Sequence, residues 1–215
     1  MSPSAPGVRR TDPDRFSGLV PVDFLGPGTP LAPLPFAVID VETTGLRPRE
    51  DRIIEIAVVR CDPLGAIVSE WSTLIDPGRD PGPTRVHGIT AEDLLGAPTF
   101  AGAVDELRAQ LADAVVVAHN LSFDASFVAH EFLRAGEAPH RAYGLCTLEL
   151  ARRVLPSAEG HSLGACARSL SIPQPAAHRA LADTRVTALV LAALIDRLGT
   201  ADEHPPRLRA TPTTP

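Results

Sequence analysis

The chain contains no lysine: all 20 residues in its Lys+Arg count are arginine. Alongside heavy use of Arg, Ala and Pro, this absence reads as the codon bias of a GC-rich genome and carries little functional weight. Aromatic residues are scarce, at 4% of 215 residues, so the core has to be built from Ala, Val, Leu and Ile. The cysteines are Cys61, Cys146 and Cys166, an odd number without C-x-x-C spacing. That argues against a disulfide framework or a zinc site and makes a reducing cytosol the expected setting. No apolar run reaches membrane-spanning length and the first residues lack an apolar signal core, so no membrane partner is expected. Positive charge is not in excess. The net charge of −6 argues against wholesale electrostatic wrapping of duplex DNA, but not against a nucleic-acid enzyme whose acids gather at a metal site.

What is present suffices for one core. The hydrophobic fraction is 44%, and a chain of 215 residues does not require two domains. Residues 1–34 are rich in Pro, Gly, Ser and charge, and read as a mostly disordered N-terminal arm. An apolar island at residues 19–25 is a candidate edge strand or docking segment within that arm. Residues 35–199 form the expected folded body, and 200–215 a polar, flexible tail.

The body is organised around FAVIDVETTGL, residues 36–46. Phe36, Ala37, Val38 and Ile39 read as a buried strand, which Asp40 and Glu42 then interrupt. Side chains two apart on a strand share a face, so two carboxylates sit side by side at the end of a core strand. Like charges that close raise each other's cost of ionising unless a cation offsets them. Either the strand end turns into solvent, or Asp40 and Glu42 begin a hard-metal site. Thr43, Thr44 and Gly45 follow as a small polar turn where a ligand can approach backbone amides.

Residues 52–60 and 66–75 read as a second and third strand joined by a Pro63-Leu64-Gly65 turn, an antiparallel hairpin. Glu55 falls inside the second; an exposed or locally paired position is as good a reading as any functional role. Residues 76–98 read as a long Pro- and Gly-broken loop containing His87, which is either solvated or functional. Thr90 can cap a short turn bearing Glu92 and Asp93. A helix is expected over 99–112, then a buried, parallel strand over 115–118. Asn120 and Ser122 can cap a helix beginning near Phe123, which places Asp124 in its first turn, where a favourable dipole interaction would itself account for an acid. His119 and His130 read as packed or solvated. Three further helices are expected over 147–155, 162–170 and 179–198, the last carrying Asp183 in its first turns with His178 just ahead of it.

Taken together, Asp40, Glu42, Asp124, His178 and Asp183 resemble the DEDDh family of 3′–5′ exonucleases, on the ribonuclease H-like fold. The likeness runs over residues 36–198, through IDVETTGL, AHNLSFDASF and HRALADTR, with VHGIT and CTLELARRVLP…HSLGACA between them. It is nearest to the epsilon proofreading subunits of bacterial DNA polymerase III and their free-standing relatives. Cys146 stands where many relatives carry an acid, outside the catalytic set. The resemblance implies an α/β fold: a mixed sheet, antiparallel over its first three strands and then parallel, flanked by helices. It implies two Mg²⁺ ions, with Mn²⁺ as a substitute, held by Asp40, Glu42, Asp124 and Asp183, Asp40 bridging the two. His178 would take a proton from the attacking water. Thr43, Thr44, Leu46, His87, Asn120 and Phe123 would contact the substrate. The implied substrate is a single-stranded or frayed 3′ end of DNA, shortened to nucleoside 5′-monophosphates, with a polymerase or replisome as a further partner. An RNA-trimming enzyme and a non-catalytic nucleic-acid-binding module are the competing readings.

Overall fold

The computed structural model describes residues 19–23, 34–156, 159–174, 179–199 and 209–210. The aliphatic run after Pro35 forms strand β2 (Phe36–Thr43), whose first four residues are fully buried. Its antiparallel neighbour β3 (Ile53–Cys61) is nearly continuous in Ile and Val and is buried on both faces. Strand β4 (Ile67–Leu74) returns antiparallel to β3 and is largely exposed, as an edge strand can be. The turn between them is held by Asp62, whose Oδ1 accepts from the Leu64 and Ala66 N–H groups at 2.9 Å. The expected hairpin is therefore present, with its boundaries moved by about one residue at each end.

On the other side of β2 lies β5 (Val115–Ala118), parallel to it, and then β6 (Ala142–Cys146), parallel to β5. Strand β1 (Leu19–Asp23) pairs parallel with β6, and β7 (Arg209–Ala210) pairs with β1. The sheet among the described residues runs β4-β3-β2-β5-β6-β1-β7, the mixed sheet expected, antiparallel then parallel. Two features differ from the sequence reading. Residues 142–146 had no expected strand. At residues 19–23 the apolar island adds a strand beside β6, whose backbone would otherwise end the sheet unpaired, and the two-residue β7 pairs beyond it. Residues 1–18 and 24–33 of the arm lie outside the described residues, as does the 200–215 tail apart from β7.

The helices cover both faces. Helix α2 (Phe100–Leu111), capped by Thr99, and helix α3 (Leu121–Arg134) enclose one half of the core with Ala37, Ile39, Val41 and Val116. Helices α4 (Thr147–Val154), α5 (Leu163–Ser169) and α6 (Ala180–Gly199) enclose the other half with Phe36, Val38, Val59 and Val117. Ser162 caps α5 as expected, its Oγ accepting from Ala165 N–H. Short helix α1 (Thr84–His87) interrupts the expected loop. No helix of the described residues is long and apolar enough to cross a membrane.

One charged network crosses between the layers. Glu131 on α3 is 1% exposed and accepts from Arg52 Nε at 2.6 Å, Arg52 Nη2 at 3.0 Å and Arg134 Nη1 at 3.2 Å. The Ile53 backbone N–H adds a fourth contact. Arg52 and Arg134 in turn hold the carbonyls of Pro77, Asp51 and Pro48, tying residues 48–52 to the helix. Removing one partner of a buried pair strands the other charge. Glu131→Ala is expected to destabilise the fold by about 3–5 kcal/mol in urea unfolding, and Glu131→Gln by clearly less.

Candidate active site

The alternation of β2 places Asp40 and Glu42 on the face whose earlier residues, Phe36 and Val38, pack against α6. Asp183 lies in the first turn of α6. The three carboxylates converge: one oxygen of each of Asp40, Glu42 and Asp183 lies within 4.8 Å of the others, all three side chains partly buried. The end of β2 thus turns its two acids toward α6 and not fully into solvent. The β2–β3 ladder slips at this point. Glu42 faces Glu55, but Thr43 faces Ile53, so the irregularity falls immediately after the second acid. Bulges re-aim side chains and end regular pairing, and here one releases the chain from the sheet into the Thr43–Gly45 turn.

Asp124 enters from the other side. It sits in the first turn of α3, after β5, and is 3% exposed. Burial pushes its carboxyl up to about 8, against hydrogen bonds from its own and the Val41 backbone N–H groups, with the Glu42 charge adding to the rise. Asp40 is held well above the ordinary carboxylate range by burial and then by the charges of Asp124, Glu42, Asp183 and Glu55. A set of acids this close is costly to ionise without a cation, and all its donors are carboxylate oxygens. Both properties fit a hard divalent metal ion.

The turn after β2 is locked by its own contacts. Thr43 Oγ1 donates to the Gly45 carbonyl at 2.6 Å, and Thr44 N–H donates to the Arg52 carbonyl at 2.9 Å. Asp51 Oδ2 accepts from Arg47 N–H at 2.9 Å, so the 44–52 loop closes on itself. Leu46 projects from this loop, 80% exposed. Gly82, at φ 84°, lies against the turn, and a side chain there would run into the Thr44 carbonyl. His87 at the end of α1 is 2% exposed; its Nδ1 accepts from Ile89 N–H at 3.1 Å and its Nε2 makes no hydrogen bond. Burial pushes the imidazole below its ordinary pKa. His87 is thus buried, not the solvated loop histidine of one reading.

Helix α3 starts at Leu121, two residues earlier than expected. Asn120 occupies the cap position with a left-handed backbone, φ 72° and ψ 53°, and its side chain caps nothing; it accepts from Ser122 Oγ at 3.2 Å. The expected side-chain cap is replaced by backbone geometry that turns Asn120 outward, where it is exposed. Phe123 is partly buried, its ring centroid 4.9 Å from that of Phe127 with the two planes tilted by 50°. His119 and His130 both have partners. His119 bridges Thr147 Oγ1 at 3.1 Å and the His161 carbonyl at 2.8 Å, and His130 contacts the Ser126 carbonyl at 2.8 Å. His178 lies outside the described residues.

Two site residues had no role assigned from sequence. Glu55 is 4% exposed and binds Arg179, 124 positions away, through Nε at 3.2 and 3.1 Å and Nη2 at 2.9 Å. The signal was an acid in an otherwise apolar strand, which demands a cation; nothing in the spacing says which one.

An acid whose pKa is raised on folding binds more protons in the native state over the interval between its unfolded and native values. For Asp124 that interval runs from about 4 to about 8. Metal-free protein is therefore expected to lose stability as pH rises across that window. Asp124→Asn is expected to flatten the slope and to stabilise metal-free protein at pH 8, on the order of 2 kcal/mol by chemical denaturation.

A family model described as RNase_T, Exonuclease, matches residues 37–191. A DNA polymerase III subunit epsilon-like protein of Rhodobacter capsulatus is 40% identical over 190 residues, covering 82% of this chain and 27% of the relative. A PolC-type DNA polymerase III of Halalkalibacterium halodurans is 34% identical over 174 residues, covering 80% of this chain and 12% of the relative. The chain thus spans about a quarter or less of the length of these relatives. Among solved structures, exonuclease X in complex with 5′-overhanging duplex DNA superposes with a TM-score of 0.60 at 31% identity, over 76% of this chain and 93% of that one. With the matched segment covering most of the chain and taking in Asp40, Glu42, Asp124 and Asp183, this chain belongs to the exonuclease family.

Proposed function

We propose that the protein is a metal-dependent 3′–5′ exonuclease acting on DNA ends. The observation that carries this reading is the convergence of Asp40, Glu42 and Asp183 within 4.8 Å, with Asp124 buried beside them, in a domain of the exonuclease family. Asp40, Glu42 and Asp183 would hold one divalent ion, and Asp124 with Asp40 a second. Mg²⁺ suits an all-oxygen donor set and Mn²⁺ is a natural substitute. Ions bound there would offset the charge that builds on the phosphate and on the leaving oxygen.

The chain's own residues do the rest. His178 accepts a proton from the attacking water, a task suited to an imidazole near neutral pH. The Thr43–Thr44 turn presents backbone groups to the terminal nucleotide, and exposed Leu46 offers it an apolar surface. His87 lies near the terminal nucleotide in this reading, as a buried side chain that shapes the pocket wall. Asn120 and Phe123, at the start of α3, line the path of the strand leading to the acids. With a net charge of −6, the footprint is a few unpaired nucleotides held by stacking and phosphate contacts. DNA is favoured over RNA because the exonuclease X structure contains DNA and the relatives are named for DNA polymerase III. The same relatives make a polymerase the partner of choice. A cytosolic setting accords with three unpaired cysteines.

The test is a 5′-labelled DNA oligomer, single-stranded or 3′-recessed, incubated with Mg²⁺, Mn²⁺ or chelator. A metal-dependent ladder shortening from the 3′ end is expected, and Asp40→Ala or Asp183→Ala protein should produce none. Cleavage of the matching ribo-oligomer alone would transfer the activity to RNA, and cleavage of neither would leave a binding module. His178→Ala should lower kcat by about 10²–10⁴-fold with Mn²⁺ binding retained. Wild-type turnover in that variant would remove His178 from the mechanism.

A further inference from the structure

We infer that Glu55 and Arg179 form a positioning clamp that fixes the third carboxylate, Asp183, against the two on β2. The inference rests on the metal-site reading above. Glu55 stands directly opposite Glu42 in the β2–β3 register, so it belongs to the same cross-strand pair as one of the clustered acids. It is nevertheless not part of the cluster that could hold an ion. Its two oxygens are taken by protein donors instead: Arg179 Nε and Nη2, and the Ala180 backbone N–H at 3.0 Å. Ala180 is the first residue of α6 and is fully buried. Glu55 therefore caps that helix from the sheet, with its negative charge at the positive end of the helix dipole.

The next turn completes the link. Asp183 N–H donates to the Arg179 carbonyl at 3.0 Å, so the residue clamped by Glu55 through its side chain holds Asp183 through its backbone. The path from Glu42 to Asp183 thus runs through one cross-strand pair, one two-pronged ion pair and one helical hydrogen bond. A guanidinium gripping a carboxylate with two N–H groups fixes orientation as well as distance. The pair also answers an electrostatic problem: Glu55 beside Glu42 would add a further negative charge to an acidic site, and Arg179 offsets it where it arises. Glu55 lies outside the group of acids that could share an ion, and the pair is assigned a positioning role.

Charge and position predict opposite signs for one substitution, which makes the clamp testable. Arg179 has a half-exposed side chain, and its loss should leave the fold intact by circular dichroism. If Arg179 acted only as a charge, Arg179→Gln would remove a repelling cation and tighten Mn²⁺ binding. As a clamp, Arg179→Gln should weaken Mn²⁺ binding by about 10–100-fold in titration calorimetry on the full chain. Glu55→Ala should do the same, while Glu55→Gln, which keeps an acceptor for Ala180 N–H, should recover most of the affinity. On an Asp183→Asn background, Arg179→Gln should change Mn²⁺ affinity by less than about twofold, since the residue it positions is gone. Unchanged or tighter Mn²⁺ binding by Arg179→Gln protein, or equal losses with and without Asp183, would overturn the clamp and leave the metal site standing. Wild-type protein that binds no Mn²⁺ would overturn both.

Discussion

The interaction on which the rest of this structure depends is the mutual repulsion of carboxylates at the end of a buried strand. Asp40 and Glu42 cannot leave the sheet face they share, because β2 is paired with β3 through both of them and anchored by β5 over Phe36, Ala37 and Val38. Asp124 and Asp183 arrive on helices that begin at that same end. A fold does not assemble this arrangement for stability. Each acid added to a partly buried cluster raises the cost of ionising the others. The compensation must come from outside the cluster, and its form differs for each acid.

Three forms are visible. Glu55 and Glu131, the two buried glutamates on β3 and α3, are met by guanidinium groups in two-pronged contacts. Asp124 is met by neutralisation instead: burial raises its carboxyl pKa to about 8, with the Glu42 charge adding to the rise. Asp40, Glu42 and Asp183 are gathered closely enough to share an ion. The first solution is structural and independent of solution conditions near neutrality, since arginine stays charged. The second and third depend on pH and on metal. The acids of this domain are thereby sorted into a permanent scaffold and a responsive site.

Much of this was legible in the sequence because it follows from local rules. The period-two acids on an apolar strand announced a shared face, and the helical spacing of Phe100, Val104, Leu107 and Leu111 announced α2. What escaped needed long-range information. Strand β6, sequence AYGLC, carries too little aliphatic pattern to stand out, and becomes a strand because β5 offers it an edge. Residues 19–23 looked like part of a disordered arm and are recruited by β6 in the same way. Asn120 looked like a side-chain cap but adopts the left-handed backbone that asparagine tolerates, so the helix starts two residues earlier. The pairing of Glu55 with Arg179 spans most of the domain, and no local pattern could have joined them.

That pairing shows why the site is built across the sheet. Two of its carboxylates come from one strand, whose geometry sets their spacing without help. The other two come from helices, which meet the sheet through apolar contacts, largely aliphatic with a few phenylalanines. Aliphatic contacts are not directional, so they fix a helix's depth better than its rotation about its own axis. A directional contact at the helix start supplies what the core does not. Helix α6 has one in Glu55, and α3 has one near its other end in Glu131, whose Arg52 contact reaches the segment leading into β3. Strand β3 contributes no residue to the acid cluster, yet it and its entry hold both helices that do. The strand that supplies no acid to the cluster is thus the reference against which the clustered acids are placed.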